Sequence, residues 1–259
     1  MITVSILGYG NVGKHLFHAF QTAKNLVIKQ VYSPSLSPKN EGSTQFINEL
    51  DVLEQADVFL LAIPDDAVAA FSKKLPFEDA LVVHTSGSVG MEALDSKNRR
   101  GVFYPLQTFS KGRSINFKEI PICVEAEEPK DLVLLKQLAE MISGTVVELS
   151  SVKREKLHLA AVWANNFSNH LFHLAKDFME AEGLEFEWLL PLLEETVQKL
   201  KTLSPEAAQT GPARRNDQQT MQKHLESLED PFQKQLYLLL SQSIQQKFNT
   251  NTQTIGKEL

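Results

Sequence analysis

Cysteine is almost missing from this chain: Cys123 is the single one in 259 residues. It falls in the apolar stretch Ile120-Pro121-Ile122-Cys123-Val124, where a lone thiol reads as core packing rather than as a nucleophile. No internal disulfide can form, and the start, Met1-Ile2-Thr3-Val4-Ser5-Ile6-Leu7, lacks the basic segment of a secretory leader. Both features lead us to expect a reducing cytoplasm. No run of about eighteen apolar residues occurs, so no membrane partner is expected. Positive charge is in deficit, with 26 Lys and Arg against 32 Asp and Glu. A net charge of −6 is the wrong balance for a nucleic-acid face, which leaves a small molecule as the expected ligand. His15, His18, His170 and His173 do not form a credible metal site with nearby carboxylates, and no metal site is expected. There is no internal repeat and no low-complexity tract.

With 42% hydrophobic residues the chain can build its cores without staples. The first part alternates apolar strand patterns (Ile2–Leu7, Val27–Tyr32, Asp57–Ile63, Ala80–His84, Val102–Tyr104, Ile120–Glu125, Thr145–Leu149) with helical stretches at Val12–Lys24, Asp65–Lys74 and Pro129–Ile142. Strands this apolar, separated by helices, predict an α/β fold with a mostly parallel, Rossmann-like sheet covered on both faces. After Leu149 no strand pattern appears. Val152–Glu182 has no breaker until Gly183, and helical patterns follow at Phe186–Leu203, from the N-cap Asp217 to Leu228, and at Pro231–Phe248. The expected organisation is therefore a dinucleotide-binding domain over 1–150 and an all-helical substrate and dimerisation domain over 151–259. Trp188–Leu193 and the stripe Leu236, Leu240, Ile244, Phe248 are read as core or as a homodimer seam. The polar tail Asn249–Leu259 is expected to fray.

The loop Gly8-Tyr9-Gly10-Asn11-Val12-Gly13 has the spacing G-x-G-x-x-G between a strand and a helix. Gly8 permits the turn, Gly10 the approach of a pyrophosphate, and Gly13 close helix–strand packing. Free N–H groups and the positive helix end then face the phosphates. A methyltransferase loop would follow an acidic residue, whereas Ile6-Leu7 stands here. An NAD-specific domain ends its second strand with Asp or Glu on the ribose 2′-hydroxyl. This strand ends Val31-Tyr32-Ser33-Pro34-Ser35, with no carboxylate before Glu41. Ser33 and Ser35, with Lys39 behind, suit a 2′-phosphate, so the expected cofactor is NADP(H) rather than NAD. Ser33-Pro34-Ser35 is also compatible with a plain polar turn.

Further motifs occur in order: Leu61-Ala62-Ile63-Pro64-Asp65, His84-Thr85-Ser86-Gly87-Ser88, Tyr104-Pro105-Leu106-Gln107-Thr108-Phe109, His158 with Asn165-Asn166-Phe167, and Thr210-Gly211-Pro212-Ala213-Arg214-Arg215-Asn216-Asp217. With the glycine loop, they resemble the Rossmann-like bacterial family that carries a C-terminal helical domain of unknown function. That family is similar to pyrroline-5-carboxylate reductase, ketopantoate reductase and the β-hydroxyacid dehydrogenases. The resemblance covers nearly the whole chain and implies an NADP-binding N-terminal domain and a dimerising helical one. It places Ala62, Ile63 and Pro64 in backbone contact with ribose or nicotinamide, and His84, Ser86 and Gly87 at the carboxyl end of the next strand, beside the nicotinamide. His84 reads equally as a strand-end residue satisfied by backbone groups. The family has histidine where Tyr104 stands, so Tyr104 is not assigned as a proton donor.

On an ideal helix, His158, Asn165 and Asn169 fall within about 20° of one another. Such a stripe faces water, a partner helix or a ligand cleft. In the last case His158 is the proton donor or acceptor and Asn165 orients a substrate carbonyl or carboxylate. Lys153 and Lys156 are alternative cations. Asn169, Gln107, Thr210, Gly211 and Arg214 are assigned to substrate, Gly211 freeing N–H groups toward an anion. The helix lacks the catalytic lysine of standard β-hydroxyacid dehydrogenases. These residues predict an oxidoreductase passing hydride to or from a small carbonyl, imine or hydroxy acid at the domain interface. A dinucleotide-binding sensor or scaffold without turnover is the alternative.

Overall fold

Residues 1–248 are described in the computed structural model of the chain, and the expectation for Asn249–Leu259 lies outside them. Strand β1 (Ile2–Leu7) leads into helix α1 (Asn11–Gln21), which is followed by β2 (Leu26–Tyr32), β3 (Lys39–Glu41), β4 (Thr44–Ile47) and β5 (Val58–Leu61). Then come α2 (Val68–Ser72), β6 (Leu81–His84), β7 (Arg99–Pro105), β8 (Ile122–Ala126), α3 (Pro129–Ile142) and β9 (Val146–Glu148). The strands form one sheet in the order β3-β4-β2-β1-β5-β6-β7-β8-β9. All neighbours pair in parallel except β3 with β4 and β7 with β8.

The period-2 pleat explains why the central strands are apolar throughout. Val58, Leu60, Leu81 and Val83 face Leu16, Phe17 and Phe20 of α1 and Leu135 and Leu138 of α3. Their neighbours Phe59, Leu61 and Val82 face the other way, onto Val68, Leu75 and Leu94. A third cluster, Val102, Tyr104 and Cys123, packs against Leu149 and Leu157. Cys123 is thus buried, and burial pushes its thiol above the usual range.

Helix α4 (Ser151–Ala161), a π-helical turn (Val162–Phe167) and α5 (Ser168–Ala181) run on without a break. Beyond them lie α6 (Leu190–Lys199), α7 (Pro205–Ala208), α8 (Pro212–Arg215), α9 (Gln218–Ser227) and α10 (Pro231–Phe248). Asp217 caps α9 as expected, accepting from the Thr220 N–H at 3.1 Å. Two compact units divide between Leu171 and Phe172, inside α5. The reason is chemical: α4 is fastened to β8 by a buried ion pair, so it belongs with the sheet.

In the second unit these apolar stripes are covered only in part, with Leu236, Ile244 and Phe248 half-buried. Trp188, Leu192 and Phe232 are 62%, 62% and 65% exposed, and Leu240 is 39% exposed. Among the described residues, no helix is long and apolar enough to cross a membrane.

Candidate active site

The three glycines of the first loop meet three different demands. Gly8 has φ +111°, and a side chain there would overlap the Ala62 carbonyl. A Cβ on Gly13 would overlap the Gly8 carbonyl, so α1 lies directly against the turn. A Cβ added to Gly10 would meet nothing within 4 Å. Gly10 is also the N-cap of α1, whose first turn has no side-chain cap and no acid. The unfilled space and the free N–H groups fit a pyrophosphate. Tyr9 packs edge-on against Phe17 and Phe46, with Lys14 Nζ 5.4 Å from its ring centre, and Val12 packs on the same core.

At the end of β2, the Ser33 and Ser35 hydroxyls lie 3.1 Å apart. Lys39 does not point at them freely. It pairs with Glu41 at 3.1 Å and covers the Phe46 ring. The β3–β4 hairpin therefore brings Glu41 back to the glycine-loop side, where its charge helps hold the Tyr9 phenol up, after burial. The expectation that Lys39 would stand ready for a 2′-phosphate is corrected to that extent. A three-residue, fully exposed edge strand has no apolar alternation to betray it.

Ala62 donates its N–H to the Leu7 carbonyl at 2.8 Å, which joins the β5 exit to the glycine loop, and Ile63 and Pro64 come next. Pro64 leads into the turn at Asp65, whose carboxylate accepts from the Ser88 hydroxyl at 2.5 Å. His84 ends β6 fully buried, and its Nδ1 accepts from the Ser86 N–H at 3.2 Å. Through that bond it shapes the loop. The Ser86 hydroxyl accepts the N–H groups of Ser88 and Val89 at 3.1 and 3.0 Å. Burial, reinforced by the charge of Arg154, lowers the His84 pKa from 6.5 to about 4.

Because the folded value is the lower one, the unfolded chain takes up the proton first as pH falls. Stability linked to His84 is complete above about pH 6.5, is lost down to about pH 4, and is flat below. The stability difference between wild type and His84→Gln, read by urea unfolding, should narrow by on the order of 3 kcal/mol from pH 7 to pH 4. A difference independent of pH would refute this.

Gly87 packs where Tyr104 and His158 meet. A Cβ there would lie 2.6 Å from His158 Nδ1 and 2.7 Å from Tyr104 Cζ. The Tyr104 hydroxyl is 3.1 Å from His158 Nδ1. Burial raises the Tyr104 phenol, which keeps it protonated. Both residues line a cavity of about 530 Å³, together with Gln107, Thr108, Asn165 and the apolar Leu106, Leu157 and Val162. Asn169 is not among its lining residues. The single stripe predicted for an ideal helix fails at the π turn, which adds a residue and rotates the rest of the helix by roughly 100°.

Arg154, one turn before His158, is fully buried, whereas Lys153 and Lys156 are exposed. Its Nη1 donates to Glu125 at 2.6 Å, and Nη2 donates to the Val89 carbonyl and, at 3.1 Å, to Ser151. Ser151 in turn donates to Glu125 and accepts from the Met91 N–H at 3.0 Å. These residues fix the start of α4 against β8 and the Ser86–Met91 loop. Sequence reading missed them. The available signal was a third cation, Arg154, between two lysines at a different helical angle.

In the second unit, Gly211 has φ +103° and caps the short α8. Thr210 is exposed beside it, its carbonyl accepting from Gln209 at 3.0 Å. Arg214 is engaged locally: it donates to the Glu206 carbonyl at 2.8 Å and to that of Gln209, and stacks on Phe248 at 4.8 Å. Its guanidinium holds the turn instead of standing open to an anion.

The parallel sheet and glycine turn define a Rossmann-like protein with a helical extension. Residues 1–108 match the Rossmann-like domain family, and residues 120–244 match the domain of unknown function DUF2520. A Bacteroides fragilis protein assigned as an NADP oxidoreductase is 36% identical, with 95% of this chain and 98% of that one covered and a TM-score of 0.83. The chain therefore belongs to the family that joins a Rossmann-like domain to DUF2520. A Thermotoga maritima protein shares the fold at 23% identity and TM-score 0.72, with 96% and 99% covered. So does a Plasmodium falciparum pyrroline carboxylate reductase solved with NADP, at 15% identity and TM-score 0.57, with 96% and 93% covered. No curated protein sequence matches the chain.

Proposed function

We propose that this chain is an NADP(H)-dependent oxidoreductase acting on a small carbonyl, imine or hydroxy acid. The observation that carries the reading is the Tyr104–His158 hydrogen bond, held against Gly87 in the lining of a partly apolar cavity. The assignment of the B. fragilis relative supports it. Gly8 to Gly13 hold the pyrophosphate, Ser33 and Ser35 the 2′-phosphate, and Ala62 to Pro64 with Ser86 and Gly87 border the nicotinamide end. The cofactor supplies hydride.

The chain's own residues supply position and a proton. The protonated Tyr104 donates to His158 Nδ1, which leaves the histidine proton on Nε2. As Nε2 gives that proton to a substrate oxygen or nitrogen, Nδ1 takes the phenol proton of Tyr104, and the resulting phenolate is reprotonated from solvent afterwards. Asn165 and Gln107 orient the polar end of the substrate, and Leu106 and Val162 keep its apolar part from water. The helical part acts as a homodimer seam. Its exposed Trp188, Leu192, Val197 and Phe232 form apolar surface of the kind that a second copy covers, and light scattering reads it directly.

Titration with NADPH and NADH, followed by NADPH oxidation with a panel of keto and imino acids, tests the reading. NADPH is expected to bind more tightly. His158→Ala is expected to lower kcat by about 10²–10⁴-fold with NADPH affinity unchanged. Tight NADPH binding without turnover on any substrate would favour a sensor; binding of neither cofactor would overturn both readings.

A further inference from the structure

Helix α1 has a second face. Gly13, Leu16, Phe17 and Phe20 point into the core. At about 100° per residue, Asn11, Lys14, His15 and His18 lie on the opposite side. That side of a surface helix is ordinarily bare to water. Here the segment after β7 folds back over it. Asn11 Nδ2 donates to the Phe109 carbonyl at 3.2 Å, and His15 Nε2 lies 3.1 Å from the Ser110 carbonyl.

The two enclose a groove of about 650 Å³ that runs along α1 from Asn11, in the glycine turn, as far as Thr22. Its walls carry Lys14, Lys111, Arg113 and Lys118, and no carboxylate lines it. Lys118 Nζ donates to the Met141 carbonyl at 3.1 Å, so no acid neutralises it there. Among the described residues, Lys111 and Arg113 have no ion-pair partner. Glu119 is the acid at the margin, held by Asn116 at 2.9 Å. In a chain of net charge −6, four gathered cations repel one another unless an anion joins them.

We propose that this groove binds a compact metabolite bearing two or more phosphate groups. The volume is that of a small-molecule site. Two phosphates bring about three to four negative charges, which match four cations, and their oxygens suit the hydroxyl of Ser114. Two carboxylates would leave half the charge unmet. The ligand clamps the loop after Gln107 onto α1, and so touches both the helix that carries the glycine turn and the segment that lines the Tyr104 cavity.

The probe is tripolyphosphate, titrated calorimetrically into the full chain at physiological ionic strength, with and without NADPH. Measuring both states separates this site from the cofactor cradle. Binding is expected in both, with protection of amides 107–118 from hydrogen exchange. Lys111→Glu with Arg113→Glu, both on the exposed loop, should weaken binding by about 100-fold. Lys201→Glu with Lys223→Glu, on the other unit, should leave it unchanged. Absence of binding in both states, equal loss in the two double variants, or tighter binding of a glutamate-rich peptide than of tripolyphosphate would each overturn the proposal.

Discussion

Gly10→Ala is expected to fold like the wild type and yet lose about 100-fold in NADPH affinity. Its φ is −75°, an ordinary value for alanine, and nothing lies within 4 Å of the new Cβ, so stability should stay within about 0.5 kcal/mol. The methyl group would fill the only part of the turn that is open, where the pyrophosphate must approach. Gly13→Ala should do the reverse in order of cause. Its Cβ would overlap the Gly8 carbonyl and lie 3.4 Å from Ala62 Cβ, so α1 must move away from β1 and β5. Overpacking of this kind costs about 1–3 kcal/mol, and the cofactor would be lost as a consequence. Thermal unfolding and NADPH titration on both variants check this. Wild-type affinity in Gly10→Ala would remove the cradle reading, and an unchanged Tm in Gly13→Ala would contradict the packing argument.

Much of the sheet was legible because its causes are local. Val58–Leu61 and Leu81–His84 are apolar on both faces, and only a strand covered on two sides needs that. Pro129 and Asp217 mark helix starts by backbone chemistry that acts within one turn. The features that stayed hidden depend on neighbours distant in sequence. Lys39–Glu41 becomes a strand only because Thr44–Ile47 pairs with β2. The antiparallel entry of β8 is set by the crossover that precedes it, not by its own apolar pattern.

The site shows the same division. The demands on Gly8, Gly10 and Gly13 follow from their spacing, and the structure shows the turn at Gly8 and the close packing at Gly13. Ser86 and Gly87 fell at a strand end, where fold rules place ligand contacts. Tyr104 was set aside because it departs from the family's histidine, but its hydroxyl reaches across 54 positions to His158. Asn169 was grouped with His158 on the assumption of 3.6 residues per turn, which the π turn breaks. Leu240 and Trp188 were read as core or as a dimer seam, and their exposure speaks against the first: periodicity says that a face must be covered, not that the same chain covers it.

Arg154→Met is expected to be the most damaging single change outside the glycine turn. Arg154 is 0% exposed, and the Glu125 side chain is 16% exposed. Removing the cation leaves a largely buried carboxylate with only Ser151 to hydrogen-bond, and frees the Val89 carbonyl as well. Breaking one partner of a buried pair costs about 3–5 kcal/mol. Replacing both, as Arg154→Met with Glu125→Leu, should recover most of that loss, because no charge is then stranded. Denaturant unfolding of the two singles and the double gives the coupling directly; additive losses would show that the pair does not act as a unit. The double variant also separates fastening from aiming. Arg154 and Ser151 tie the start of α4 to the loop that ends in Met91, and His158 stands one helical turn further on. An apolar pair can restore the burial but not those directed hydrogen bonds. The double variant should therefore fold and bind NADPH through an untouched glycine turn, while kcat falls with His158 less firmly held against Tyr104. Full recovery of kcat with stability would reduce Arg154 and Glu125 to a packing role.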